Sequence, residues 1–167
     1  MSYRGPLLAL AILGMGLVAL FQSVVGPQIA LLRVRPDLIL VIVLAWTLVY
    51  GPKEGVVMAF AGGIWLDLFS GGFMGASSLA LIAAVLPAGS GYTTLFRTHF
   101  LVPLVTGAVG TVLFSAVSLG ILYLLGQATL FLPMMTRLVP PAVFYNTVLL
   151  LLISPLLNRI PEARGMN

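Results

Sequence analysis

From Pro6 to Val25 the chain runs without a charged side chain, and apolar runs of this kind recur through most of its length. A helix needs about 20 apolar residues to cross a hydrocarbon core of about 30 Å. Several such runs leave little room for a water-soluble fold. Composition closes the question: 60% of the 167 residues are apolar, 7% are charged and the mean hydropathy is +1.16, outside the range of soluble domains. The sequence therefore predicts one domain, an all-α integral membrane protein built as a compact six-helix transmembrane bundle. Absence of cysteine excludes disulfides and thiolate metal sites. The net charge is +4, but its eight cations are scattered in short segments rather than gathered into a nucleic-acid stripe.

Six spans fit, at about 6–25, 36–50, 54–70, 74–92, 100–125 and 138–158. The first is read as a retained span. It is longer than a typical signal core, and no small-x-small cleavage site precedes a polar mature domain. The second and third are short and are expected to start or end in the interface, joined by a hairpin over Gly51, Pro52, Lys53 and Glu54. With the N-terminus inside, the inner face carries Arg4, Lys53, Arg97, Arg159 and Arg164, and the outer face Arg33, Arg35 and Arg137. That excess predicts cytoplasmic termini.

The stretch 55–79, GVVMAFAGGIWLDLFSGGFMGASSL, organises the rest. Gly55, Ala59, Gly63 and Asp67 fall four apart and share one helix face, drifting by roughly 40° per step. Small residues at this spacing let a neighbouring helix backbone come close. Ala76, Ala80, Ala84 and Ala88 form a second such stripe, and Gly107, Thr111 and Ser115 a third. Spans three to five are thus expected to make a tightly packed centre, with a kink at Pro87. Asp67 lies roughly 22 Å along its helix, about one turn from the outer end, where water is expected to reach it. An acid inside a span points to a partner contact or a cation ligand. Equally, Asp67 can cap the glycine break Ser70-Gly71-Gly72-Phe73-Met74-Gly75 by accepting from backbone N–H groups near Gly71 and Gly72.

Residues 26–35 and 126–137 read as outer loops that are too apolar to stand free in water. Either they fold back over the helix ends or they form a docking surface. The first ends in Arg35, which opens the motif Arg35-Pro36-Asp37. The proline extends the arginine's backbone, and Asp37 falls in the first turn of span two, where the helix dipole favours an anion. An ion pair with Arg35 is its simplest compensation.

Catalytic arrangements are missing. Gly75-Ala76-Ser77-Ser78 resembles the nucleophile motif of rhomboid intramembrane proteases, which pair the serine with a histidine. The single histidine, His99, is expected at the opposite membrane face, roughly 30 Å from Ser77. There is no phosphate loop, dinucleotide fingerprint or zinc spacing. No enzymatic activity, cofactor, metal or nucleic-acid partner is expected.

Taken in order, several motifs are similar to those of one family. These are Arg35-Pro36-Asp37 before an apolar span with Trp46, a glycine-bearing span with Leu66-Asp67-Leu68, then Ser70-Gly71 and Gly75. Together with the size, the six spans and the short basic tail, they resemble the rod shape-determining membrane protein family MreD across nearly the whole chain. The resemblance implies a non-enzymatic protein of the bacterial cytoplasmic membrane that binds MreC and helps direct lateral peptidoglycan synthesis. Implied further partners are MreB, RodA and a class B penicillin-binding transpeptidase, with self-association possible through the MreC complex. Partner-binding or structural roles then fall on Arg35, Pro36, Asp37, Gly55, Ala59, Gly63, Asp67, Ser70, Gly71 and Gly75. The family also implies a fold similar to the S-components of energy-coupling-factor transporters. That supplies an alternative, a vitamin-binding subunit, with Asp37, Asp67, Arg35, Arg137 and Asn146 converging on a small ligand.

Overall fold

A computed structural model describes residues 4–25, 36–90, 101–126 and 128–157. Among these residues the chain forms seven helices and no strand. They are α1 (Arg4–Val25), α2 (Leu38–Tyr50), α3 (Pro52–Ser70), α4 (Ala76–Ser90), α5 (Leu101–Leu124), α6 (Ala128–Arg137) and α7 (Val139–Leu157). Six coincide with the predicted apolar segments. By length and composition α5 and α7 are long and apolar enough to cross a membrane, while Leu8–Val24 within α1, α2 itself and Ala76–Gly89 within α4 are shorter apolar stretches.

The most buried helix is α2, which lies at the centre of the bundle, while α3, α4 and α5 pack closely on one another as the small-residue stripes suggested. Nearly every residue of α2 is buried, and Ile39, Leu40, Val41, Val43, Leu44 and Ala45 have no exposed surface. Helices α1, α3, α4, α5 and α7 all pack against it. A helix apolar all round sits in a core in a soluble protein. In lipid every span is apolar, so that signal does not separate the centre from the periphery. Only 13 residues long, α2 rises about 20 Å, less than the hydrocarbon thickness.

The expected hairpin after α2 shrinks to one residue. Gly51 (φ 102) accepts the chain from α2 and Pro52 already stands in the first turn of α3, where its missing N–H costs nothing. The stripes make the close contacts for which small residues are suited, but within the chain. A Cβ on Gly55 would fall on the Thr47 side chain, and one on Gly63 on the Ser78 backbone. A Cβ on Gly107 would lie 2.9 Å from Thr147 Cα, and one on Gly110 2.7 Å from a Leu44 methyl. Ala80, Ala84 and Ala88 are fully buried. The helix α4 continues through Pro87 to Ser90.

Residues 128–137 are not a loop. After the turn at Gly126 they form α6, which packs on α5 and α7, with the Phe131 ring edge-on to Tyr123 at 5.8 Å. A segment too short to span and rich in Leu, Phe and Met satisfies its backbone best as a helix packed on its neighbours. Its half-buried residues Phe131, Met134 and Met135 mark the side packed on the chain's own helices, while Leu132 is exposed. Its counterpart at 26–35, with Arg33 and Arg35, lies outside the described residues, as do Arg97, His99, Arg159, Glu162 and Arg164.

Large apolar side chains also cover the outside: Leu13, Leu17, Phe60, Leu79, Leu86, Phe144, Leu152 and Leu156 are all more than half exposed. An outer surface of that kind suits lipid and not water.

Candidate partner-binding site

Asp67 stands in the last turn of α3 and is only 3% exposed. Water does not reach it as its depth had suggested. Its Oδ2 accepts the Gly75 N–H at 2.7 Å and its Oδ1 the Ser77 N–H at 3.2 Å. Both oxygens are thus engaged by the start of α4, where unpaired N–H groups and the helix dipole favour an anion. Ala76 N–H donates to Phe73 O and Leu79 N–H to Gly75 O, which satisfies more of the first turn. Capping is therefore observed, but of the next helix and not at Gly71 and Gly72. The turn is feasible because Gly71 (φ 66) and Gly75 (φ 92) take left-handed conformations that side chains disfavour. Lower down, Ser78 Oγ donates to Phe60 O at 3.0 Å, beside the Gly63–Ser78 contact. Asp67 and Ser78 together lock α3, the turn and α4 into one unit.

That unit displays an apolar rim. Phe73 and Met74, in the turn, are 55% and 69% exposed. With Phe60, Leu79, Ile82, Ile121 and Leu125 they wall a groove of about 450 Å³ across α3, α4 and α5, floored by Gly75, Ala76 and Ser78. Small floor and large walls suit the reception of a side-chain ridge from another apolar helix.

A second polar cluster ties the ends of three helices. Asp37 caps α2, its Oδ1 accepting Leu40 N–H and Gln22 Nε2–H, each at 3.2 Å. Gln22 Oε1 accepts Ile39 N–H at 3.3 Å, and Asn146 Oδ1 accepts Asp37 N–H at 2.9 Å. So α1, α2 and α7 are joined through one half-buried helix start. Beside it Ala19, Gln22, Ser23, Leu66, Phe69 and Ser70 line a cavity of about 250 Å³.

The ten predicted residues divide accordingly. Gly55, Ala59, Gly63 and Asp67 are buried and face this chain's own helices. Ser70 and Gly71 are exposed, Gly75 is half-buried on the groove floor, Pro36 and Asp37 are half-buried at the start of α2, and Arg35 lies outside the described residues. Of the five residues expected to converge in a vitamin site, Asn146 meets Asp37, but through the Asp37 backbone N–H and not its carboxylate. Asp67 is held by the α4 turn and Arg137 is exposed on α6. The sequence reading missed Gln22 and the rim of Phe60, Phe73, Met74 and Leu79. A lone glutamine in an otherwise apolar run was the available signal for Gln22. For the rim it was two large apolar residues inside a glycine turn.

The family model described as rod shape-determining protein MreD matches residues 4–160, almost the entire chain. The chain belongs to the MreD family. It is thereby a member of a family of membrane-associated, rod shape-determining proteins. No curated protein and no solved structure matches it. Within this MreD-family chain, the motifs Arg35-Pro36-Asp37 and Leu66-Asp67-Leu68 flank the two hydrogen-bonded helix starts just described.

Proposed function

We propose that this chain is a non-enzymatic scaffold of the bacterial elongation machinery, crossing the cytoplasmic membrane six times with both termini inside. It holds the transmembrane helix of MreC in the groove of α3, α4 and α5 and so helps direct lateral peptidoglycan synthesis. MreB, RodA and a class B penicillin-binding transpeptidase are reached within the same assembly. The observation that carries this reading is the family match over residues 4–160. The groove supports it by offering an exposed apolar seat whose rim is fixed by Asp67.

Coexpression and affinity purification test the scaffold. MreC is expected to copurify with this chain, and recovery of the chain alone would count against it. Small-molecule binding has weaker support, because the Asp67 carboxylate already accepts two backbone donors. Mass spectrometry of the purified protein separates the two readings: a stoichiometric vitamin would favour the transporter subunit.

A further inference from the structure

The helix α6 is set between the two helices that are long enough and apolar enough to cross a membrane, α5 before it and α7 after it. Its ten residues reach about 15 Å, half of what a crossing requires. The chain must therefore turn at a membrane face here, and α6 occupies that boundary. Around its axis, Phe131, Met134 and Met135 are half-buried and mark the side toward α5 and α7. The exposed arc has two unlike edges. Leu132, 69% exposed, stands at one edge, and exposed Arg137, in the last turn, at the other. At about 100° per residue each lies about 110° from the middle of the bundle-facing side, in opposite directions. The two edges thus face away from one another, about 140° apart across the exposed arc.

We infer that α6 is an interfacial helix seated in the phospholipid headgroup layer, with Leu132 directed into the acyl chains and Arg137 toward the lipid phosphates. Its bundle-facing residues anchor it to α5 and α7, and the Phe131–Tyr123 ring contact lies where aromatic side chains favour the interface. Tyr123 and Leu124 at the end of α5, and Leu125 in the turn after it, are exposed apolar side chains, as is Leu132. An amphipathic helix with a basic edge buries its apolar side about 5–10 Å into this layer.

The chain contains no cysteine, so single-cysteine labelling is direct. Full-length L132C, R137C and the control L152C on α7 would carry an environment-sensitive fluorophore in vesicles of zwitterionic and anionic phospholipid. Nitroxide lipids labelled near the top of the acyl chain are expected to quench position 132 at least about threefold more than position 137, and aqueous iodide to show the reverse. Position 152 should be quenched only from deep in the bilayer. Iodide quenching of 132 and 137 alike, with 152 quenched from lipid, would overturn the inference while leaving the membrane reading intact. Protection of both α6 positions from both quenchers would overturn it in favour of cover by a second copy. Iodide quenching at 152 would remove the membrane reading itself.

Discussion

Replacing Asp67 isolates the contact that shapes the candidate site. The carboxylate accepts two backbone N–H bonds, at 2.7 and 3.2 Å, in a position 3% exposed. Asp67→Ala leaves the half-buried Gly75 and Ser77 N–H groups without these acceptors. Hydrogen bonds to a charged group contribute about 1.5–3 kcal/mol each, and the two share one carboxylate, so the loss is about 2–4 kcal/mol. Asp67→Asn is not a silent control. It keeps one acceptor oxygen but turns an NH2 group toward the other donor, so its cost is about 1–2 kcal/mol. Unfolding in detergent mixtures should rank stability as wild type, then Asn, then Ala. If both variants unfold with the wild type, the carboxylate does not hold the turn and the rigid rim argued from it falls.

The remaining stability predictions follow from the same contacts. Gly63→Ala puts a methyl on the Ser78 backbone and should cost about 1–3 kcal/mol, whereas Gly14→Ala, with open space around it, should stabilise α1 by up to about 1 kcal/mol. Equal effects in an unfolding titration would show that α3 and α4 are not in close contact. Gln22→Leu removes both a donor to Asp37 and an acceptor for Ile39 N–H, with an expected cost of about 1–3 kcal/mol. Faster hydrogen exchange at the start of α2 would mark the site of damage, and unchanged exchange there would refute the clasp.

Much of the helical layout was legible because apolar runs and their breaks are strong signals. Pro52, Gly71 and Gly75 punctuate the chain where they stand in the structure. Less was legible about which helix lies inside. The stripes of Gly55, Ala59 and Gly63 drew attention to α3, yet they mark close approach to α2 and α4, and the large side chains of α2 fill the centre. In a chain where every span is apolar, burial is decided by packing volume, which periodicity does not report. The capping role of Asp67 was visible, but its target was not. Eight residues separate it from Gly75, and only the left-handed turn brings them together. The segment 126–137 was read as a loop; its amphipathic pattern, with Thr136 and Arg137 set away from Phe131 and Met135, was the sign of a short surface helix.

Site-specific photocrosslinking in cells that express MreC tests the central claim most directly. That claim is that the small-residue stripes serve this chain's own packing while the groove of α3, α4 and α5 receives the partner. A photoreactive side chain at Leu79 or Met74, on the rim, should give an MreC adduct, and one at Leu17, 72% exposed on α1, should not. Adducts from Leu17 with none from Leu79 or Met74 would contradict it.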